Sequence, residues 1–214
     1  MKAKKEVRIT APNFKLGTFT IEAADGAPLV IHRFSAKTKN EMIEKQTTGK
    51  AASSKKNRAP KDAEETFNDA RYISPANWDG FNASSIRAAM ITACKLVGFH
   101  MTLAKLAIFV EPDGWDAKEP QIPLVRIYGD PILQQDIARV SNGNPYVTIR
   151  PAYHNWSAKV KIKWDADQFT QDDIFNLLHR VGGQVGIGEG RPNSKKGTGM
   201  GWGIFKITSG EITE

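Results

Sequence analysis

The predicted elements of this 214-residue chain run in the order strand, helix, strand, strand, helix, strand, which places it in the α+β class. Apolar residues recur at helical spacing in 84–98 and in 170–182, and these segments predict the two helices. Apolar runs predict the four core strands at 29–35, 104–110, 156–164 and 202–208. Because this βαββαβ order is typical of ferredoxin-like (RRM-like) folds, the sequence predicts such a core within a single domain, 1–214.

The remaining strands are assigned from shorter patterns. Two short strands are expected within 7–23, ahead of the first core strand, 29–35. Alternation in LVIHRFS places Arg33 on the face opposite Phe34, and His32 is expected to be a surface residue of the sheet. The second core strand extends over 103–111 at its widest, and further strands are predicted at 124–128 and 146–150, whereas 130–144 is predicted to be a loop with one helical turn near 133–138.

Both predicted helices have recognisable ends. Ser84 is the expected N-cap of the first helix, and Gly98 is its expected end. Thr170 is expected to begin the second helix, with Asp173 three residues later in an imperfect capping box. The glycine pair 182–183 is expected to end that helix.

The predicted strand 156–164 has two chemically different faces. Val160, Ile162 and Trp164 should point to the core, and the lysines between them should point outward. Alternate residues of a strand lie about 7 Å apart, which resembles the spacing of phosphates along a nucleic acid strand. Outward lysines also prevent pairing between sheet edges, so both interpretations stay open.

The segment 36–68 has no apolar periodicity and is poor in aromatic residues. Such a composition buries too little apolar area to offset the entropy of ordering. We therefore predict a mobile basic loop inserted after the first core strand, either a β-ribbon or short helix that orders on binding, or a solvated linker. Within 33–61 there are nine basic and two acidic residues, a net +7 that equals the formal charge of the whole chain. Clustered positive charge favours a polyanionic partner.

The stretch 182–207, GGQVGIGEGRPNSKKGTGMGWGIFKI, contains nine glycines and four basic residues. Its GxGxG pattern follows a predicted helix and precedes a strand, whereas a dinucleotide-binding loop follows a strand and opens a helix. The dinucleotide interpretation therefore fails. The glycines allow positive φ and leave amides open to phosphate oxygens, so the stretch is either a polyanion-binding loop or a hairpin that needs tight turns. Pro192 should keep Arg191 extended, with its side chain directed out of the loop.

Two segments resemble motifs of the repeat-associated (RAMP) superfamily of CRISPR effector proteins. The sequence 181–207 resembles the terminal glycine-rich loop of that superfamily, and NASSIRAAMITACK (82–95) resembles the opening of the first helix in its backbone-forming, Cas seven-type subunits. The resemblance covers about 28–208. It implies a protein that lines up side by side with its own copies along single-stranded nucleic acid, with 36–68 as a thumb-like insertion. A stand-alone relative from a phage or mobile element is equally compatible with these residues.

The expected function is binding of single-stranded RNA or DNA by a homo-oligomer that forms a filament along the strand. The expected contacts are basic side chains of the insertion, of the first helix and of the outward strand face, together with glycines and basic residues of the glycine-rich loop. They are Arg33, Lys37, Lys39, Lys45, Lys50, Lys55, Lys56, Arg58, Arg87, Lys159, Lys161, Lys163, Gly186, Gly188, Gly190, Arg191, Lys195 and Lys196.

Two other functions remain open. A RAMP-type endoribonuclease would use a histidine as general acid or base, and the chain contains His32, His100, His154 and His179. None has a partner at recognisable spacing, so no catalytic residue is assigned and catalysis is not the expected function. A structural or interaction protein of a phage would instead present the basic segment to an acidic partner.

Composition excludes several classes of site. Cys94 is the only cysteine, which excludes an internal disulfide framework and a cysteine-based zinc site. No stretch is apolar over 18 residues, and the first ten residues lack the apolar core of a secretory signal. We therefore expect no metal, no cofactor and no membrane partner, and a cytoplasmic location in a prokaryotic cell or a phage-infected host.

Overall fold

The computed structural model describes residues 10–34, 36–48, 62–139, 145–194 and 199–213. Within these ranges the chain is a mixed α+β protein with three sheets. The strands are β1 (Phe14–Ala23), β2 (Leu29–Val30), β3 (Tyr72–Ile73), β4 (Asp79–Asn82), β5 (Ile108–Glu111), β6 (Gly114–Trp115), β7 (Pro123–Arg126), β8 (Ile132–Arg139), β9 (Pro145–Tyr153), β10 (Ser157–Asp165) and β11 (Phe205–Thr213). The helices are α1 (Ala36–Thr48), α2 (Ala63–Asp69), α3 (Ala83–Leu96), α4 (Met101–Ala107) and α5 (Gln171–Arg180), and a π-helical turn (Val181–Val185) continues α5.

One sheet has the strand order β11-β1-β10-β5, and every neighbouring pair in it is antiparallel. Alternate residues of its central strands are buried on one face. They join the apolar residues of α3 and α5 in one core cluster, which includes Phe19, Ile21, Val160, Ile162, Trp164, Ile86, Met90, Ile174 and Leu178. The opposite face of this sheet carries the outward lysines of β10, as predicted.

Two smaller sheets extend this core. The strands β2, β9 and β8 form the first, in which β8 and β9 pair along their whole length. The second has the order β3-β4-β7-β6, and its strand β4 leads directly into α3. This short connection fixes where the N-terminus of α3 begins.

The helix ends are set by side-chain caps. Asn82, two residues before the predicted Ser84, caps α3, because its side-chain oxygen accepts from the Ser84 amide at 2.9 Å. The capping box of Thr170 and Asp173 is confirmed, with reciprocal bonds of 2.9 and 3.2 Å. The glycine pair 182–183 does not end the helical path, which continues as the π-helical turn to Val185.

The strand predicted at 29–35 is largely wrong. Only Leu29–Val30 is a strand, and it pairs with β9 rather than with the four-stranded sheet. Residues 29–31 are buried in succession, which is typical of a chain enclosed on all sides and not of a strand with one open face. The first strand of the β11-β1-β10-β5 sheet is instead β1, part of which was predicted as a short preceding strand.

Three other segments differ from their predictions. Residues 101–107 are helical and only 108–111 form a strand, because the Leu, Ala and Lys residues of this segment favour helix. Residues 132–139 form β8 where a loop was expected, since their partner β9 is supplied from farther along the chain. The described ends of 36–68 are the helices α1 and α2, whereas 49–61 lie outside the described residues, so the mobility of this insertion stays a prediction.

The strands predicted at 124–128, 146–150, 156–164 and 202–208 correspond to β7, β9, β10 and β11, with shifted ends. None of the helices in the described ranges is long and apolar enough to cross a membrane.

Candidate nucleic-acid interface

An open cleft of about 230 Å³ separates the glycine-rich loop from the first turns of α3. We call it the glycine-loop cleft. Three parts of the chain line it: the segment around 31–32 with Tyr72 and Phe81, one face of α3, and the loop after the π-helical turn. The lining residues are Ile31, His32, Tyr72, Phe81, Asn82, Ser85, Ala88, Ala89, Thr92, Val185, Gly186, Ile187, Gly188, Glu189, Arg191 and Asn193. The structure thus brings together the two segments that resemble RAMP motifs, although they are distant in sequence.

The glycines of this loop are required by its own packing. Gly186, Gly188 and Gly190 have φ of 70°, 73° and 64°, in the left-handed region that disfavours other residues. A Cβ at Gly188 would lie 2.6 Å from the carbonyl oxygen of Val30, and one at Gly190 would lie 2.4 Å from the ring of Trp202. The tight-turn interpretation therefore accounts for these glycines whether or not the loop binds a polyanion.

Only some of the loop amides are left for a ligand. The amides of Gly186 and Glu189 donate to Val181 and Val30 at 2.7 and 2.9 Å, so Gly186 cannot offer its N–H as expected. In the described part of the chain, the amides of Gly188 and Gly190 donate to no acceptor. Two of the three predicted glycine amides are thus unpaired among the described residues, and of these two Gly188 lines the cleft whereas Gly190 does not.

Arg191 lies in the cleft wall and folds back along the loop. Its Nη1 donates to the carbonyl oxygen of Gly188 at 2.7 Å, so the expectation that Pro192 would direct this side chain outward is wrong. The turn at Gly188 presents a carbonyl within reach of the guanidinium, and that hydrogen bond holds the side chain against the loop. A guanidinium has five N–H donors, so one internal bond leaves capacity for a phosphate.

The other cleft residues give it a mixed lining. Ile31, Phe81 and Ile187 supply apolar surface, and a carboxylate, Glu189, lies beside Arg191. Burial raises the pKa of the Tyr72 phenol, so this side chain stays protonated at neutral pH and is able to donate a hydrogen bond. Polar groups missed by sequence reasoning also line the cleft: His32, Tyr72, Asn82, Ser85 and Asn193. The one signal for them was the position of Asn82 and Ser85 in the resemblance segment.

The side chains of Arg33 and Lys39 form ion pairs within the fold. Arg33 is only 4 % exposed, its Nη2 donates to Glu119 Oε1 at 2.5 Å, and its Nε lies 3.4 Å from Asp116 Oδ2. Lys39 also pairs with the Glu119 carboxylate. This corrects the expectation for Arg33, because a buried guanidinium among carboxylates is a structural ion pair and not a phosphate contact.

The other predicted cationic contacts whose side chains the structure describes lie away from the cleft. Arg87 donates to the carbonyls of Ile108 and Lys105 at 2.8 and 2.5 Å, which ties α3 to the start of β5. Lys161 pairs with Asp113 at 3.0 Å, and Lys159 and Lys163 share its face of β10. None of these is among the residues that line the glycine-loop cleft.

Eight predicted contacts fall outside what the structure describes. The side chains of Lys37 and Lys45 on α1 are not described, and the other six residues lie outside the described ranges: Lys50, Lys55, Lys56, Arg58, Lys195 and Lys196. In sequence, however, the basic segment follows the cleft residue His32 directly, and Lys195 and Lys196 come two and three positions after the cleft residue Asn193. Within the described ranges, no group of three or more His, Cys, Asp or Glu side chains is arranged to hold a metal ion.

Comparison with known proteins gives a distant likeness to solved structures. No protein-family model matches the chain, and no curated protein matches it. Among solved structures, it is similar to a chain in the cryo-EM structure of the Type III-B Cmr-beta bound to cognate target RNA, with a TM-score of 0.45 and 10 % identity. The match covers 93 % of this chain and 60 % of that one, so this chain spans about three fifths of its length. A likeness at this level carries no conclusion about function.

Replacing Arg33 with methionine is expected to lower the free energy of unfolding by about 3 kcal/mol, because the buried Asp116 carboxylate loses its counter-ion. Urea denaturation followed by circular dichroism measures the change. Lys159→Ala, which removes an exposed cation, serves as the control and should change stability by less than about 0.5 kcal/mol. An Arg33→Met variant as stable as the wild type would contradict the structural role.

Proposed function

We propose that the chain binds single-stranded RNA or DNA along the glycine-loop cleft. One observation carries the proposal: the glycine-rich loop and the opening of α3 form the two sides of a single open cleft. Residues 33–61, with nine basic and two acidic residues, follow the cleft residue His32 in sequence, and Lys195 and Lys196 follow the cleft residue Asn193. A bound strand would therefore meet a cleft that holds one cation, Arg191, and one carboxylate, Glu189, and that is adjacent in sequence to basic segments.

The contacts expected in the cleft are to the sugar-phosphate backbone. The amide of Gly188 and the guanidinium of Arg191 are the cleft donors suited to phosphate oxygens. Such contacts hold a strand with little dependence on its base sequence, and they weaken as salt replaces the released counterions.

The strand order supports a ferredoxin-like interpretation of the core. When β1, β5, β10 and β11 are numbered by their order in the chain, they lie across the sheet in the order fourth, first, third, second. In the chain, α3 lies between the first and second of these strands, and α5 lies between the third and fourth. We infer from this arrangement a ferredoxin-like βαββαβ core in a single RAMP-like domain, with the basic insertion between β1 and α3. The resemblance of 181–207 and 82–95 to RAMP motifs agrees with that inference.

Arg191→Ala is expected to weaken binding of a uridine or thymidine oligonucleotide and to reduce the slope of log affinity against log salt by about 0.7, the value for one phosphate contact on a single strand. Fluorescence anisotropy over a range of salt concentrations measures both quantities. Arg191→Lys should restore only part of the affinity, since an ammonium lacks the paired donors of a guanidinium.

Two measurements separate a contact from a structural role for Arg191. Loss of its bond to Gly188 should cost about 1 kcal/mol of stability, so the variant should stay folded in the binding assay. Lys95→Ala removes an exposed cation of α3 that is not among the cleft residues, and it should leave the salt slope unchanged. Wild-type affinity that does not vary with salt would contradict the proposed function.

Copies of the chain are expected to occupy a long strand in a row, as the RAMP resemblance implies. An exposed apolar pair on β8 and β9, Ile137 and Val147, which lie directly opposite each other, supports self-association because Ile137 is 78 % exposed in one copy. Sedimentation velocity on a long oligonucleotide should show several copies per strand, and Ile137→Asp should reduce that number. Gln121→Asp adds the same charge elsewhere as the control. Single copies on saturated long strands would contradict assembly.

A RAMP-type endoribonuclease is the second candidate, and it is favoured by one observation. His32 lines the glycine-loop cleft, whereas His100, His154 and His179 are not among its lining residues. If the cleft only binds, RNA incubated with the protein and a metal chelator stays intact. Cleavage under these conditions that disappears in His32→Ala would establish the nuclease instead.

A further inference from the structure

The outer face of the β11-β1-β10-β5 sheet carries an aromatic pair that the glycine-loop cleft does not use. Phe14 of β1 and Phe109 of β5 meet across β10, with ring centroids 5.8 Å apart and an angle of 78° between the rings. Phe14 is 41 % exposed although it lies in a strand. Phe109 is half-buried, so the pair has one exposed ring and one partly accessible ring, each a flat apolar surface of about the size of a nucleobase.

Each ring also has a cation above it. The Nζ of Lys163 lies 4.8 Å from the centroid of Phe14, and the guanidinium carbon of Arg87 lies 5.2 Å from that of Phe109. Arg87 is held there by its bonds to two backbone carbonyls, whereas Lys163 has a flexible stem. Lys163 is therefore the cation that is able to exchange its ring contact for a phosphate.

The surroundings of the pair are polar. Thr18, Thr20 and Ser209 occupy the centre of the same face, beside Lys159 and Lys161 of β10, and Leu16 is half-buried between them and Phe14. Carboxylates are present as well: Glu111 is opposite Lys161 on the neighbouring strand, Asp113 pairs with Lys161, and Asp165 accepts from the Asp167 amide. The face around the rings is thus hydrophilic. Farther along it lie Glu22, Glu211 and Lys206, so that cations and carboxylates of the whole face are equal in number, five of each.

We propose that Phe14 and Phe109 form a stacking platform for unpaired bases of single-stranded nucleic acid. The inference rests on the proposed function and adds a second contact of a different kind, because the cleft would hold phosphates and the platform would hold bases. A protein partner fits this face less well, since the apolar groups described on it are two rings and Leu16 set among hydroxyls and charges. Stacking needs only a π face, so the platform would accept any base.

The test compares two oligonucleotides of equal length and charge, one of uridines and one abasic, with the full chain. Phe14→Leu should weaken binding of the uridine strand by about fivefold or more, the loss typical of one stacked base, and leave binding of the abasic strand unchanged. Phe14→Tyr keeps the π face and should bind the uridine strand as the wild type does. Phe175→Leu is the matched control, because Phe175 on α5 is similarly exposed, at 38 %, and contacts His179 instead.

The outcomes separate this inference from the proposed function. If the wild type binds with the expected salt dependence but Phe14→Leu binds the uridine strand equally well, the platform alone is wrong. An equal loss on the abasic strand, or a change in sedimentation of the Phe14→Leu protein without nucleic acid, also overturns it, because the face would then serve folding or contact between copies. If the wild type binds neither strand, the proposed function fails and the platform fails with it.

Discussion

The candidate site depends on the close contact between the glycine-rich loop and the backbone at 28–30. The Gly203 amide donates to Pro28 and the Glu189 amide to Val30, at 2.8 and 2.9 Å, so two points of the loop are fixed to the same short segment. A Cβ at Gly203 would lie 1.8 Å from the carbonyl oxygen of Ile187, which shows that the loop also closes on itself without space for a side chain. The loop wall of the cleft is therefore fixed to the fold at two backbone hydrogen bonds, in addition to the core packing of Val185 and Ile187.

The ion pairs around Glu119 neutralise part of the positive charge of the basic segment 33–61. Arg33 and Lys39 both contact this carboxylate, and Arg33 also lies against Asp116. The start of α1 is in this way attached to the turn between β6 and β7. Arg33 and Lys39 thus serve the fold, and the charge that remains for a polyanion belongs to the other basic residues of 33–61. A sequence count of net charge does not make this distinction.

Local patterns in the sequence predicted local structure well. The capping box of Thr170, the apolar face of α3 and the alternation of Val160, Ile162 and Trp164 each follow from residues within a few positions of one another. The failures involve distant partners. Residues 132–139 become a strand because β9 pairs with them, and Arg33 becomes buried because two carboxylates more than eighty positions away surround it. For the site, the glycine loop and the opening of α3 were found, but the polar residues between them were not, since only the folded chain brings His32, Tyr72 and Asn193 together.

The orientation of the glycine-rich loop depends on the number of residues in the π-helical turn after α5. One residue of an α-helix corresponds to about 100° of rotation, so the wider turn at Val181–Val185 changes the direction in which the chain leaves the helix axis. Gly182 lies within this turn against the backbone of Phe205, and a Cβ at Gly182 would lie 2.2 Å from the Phe205 carbonyl oxygen. This close contact fixes the position of the turn relative to β11. Removal of a single residue here would rotate the whole loop away from α3 even if every glycine were kept. The cleft is thus constrained by the number of residues that precede it as strictly as by their identity.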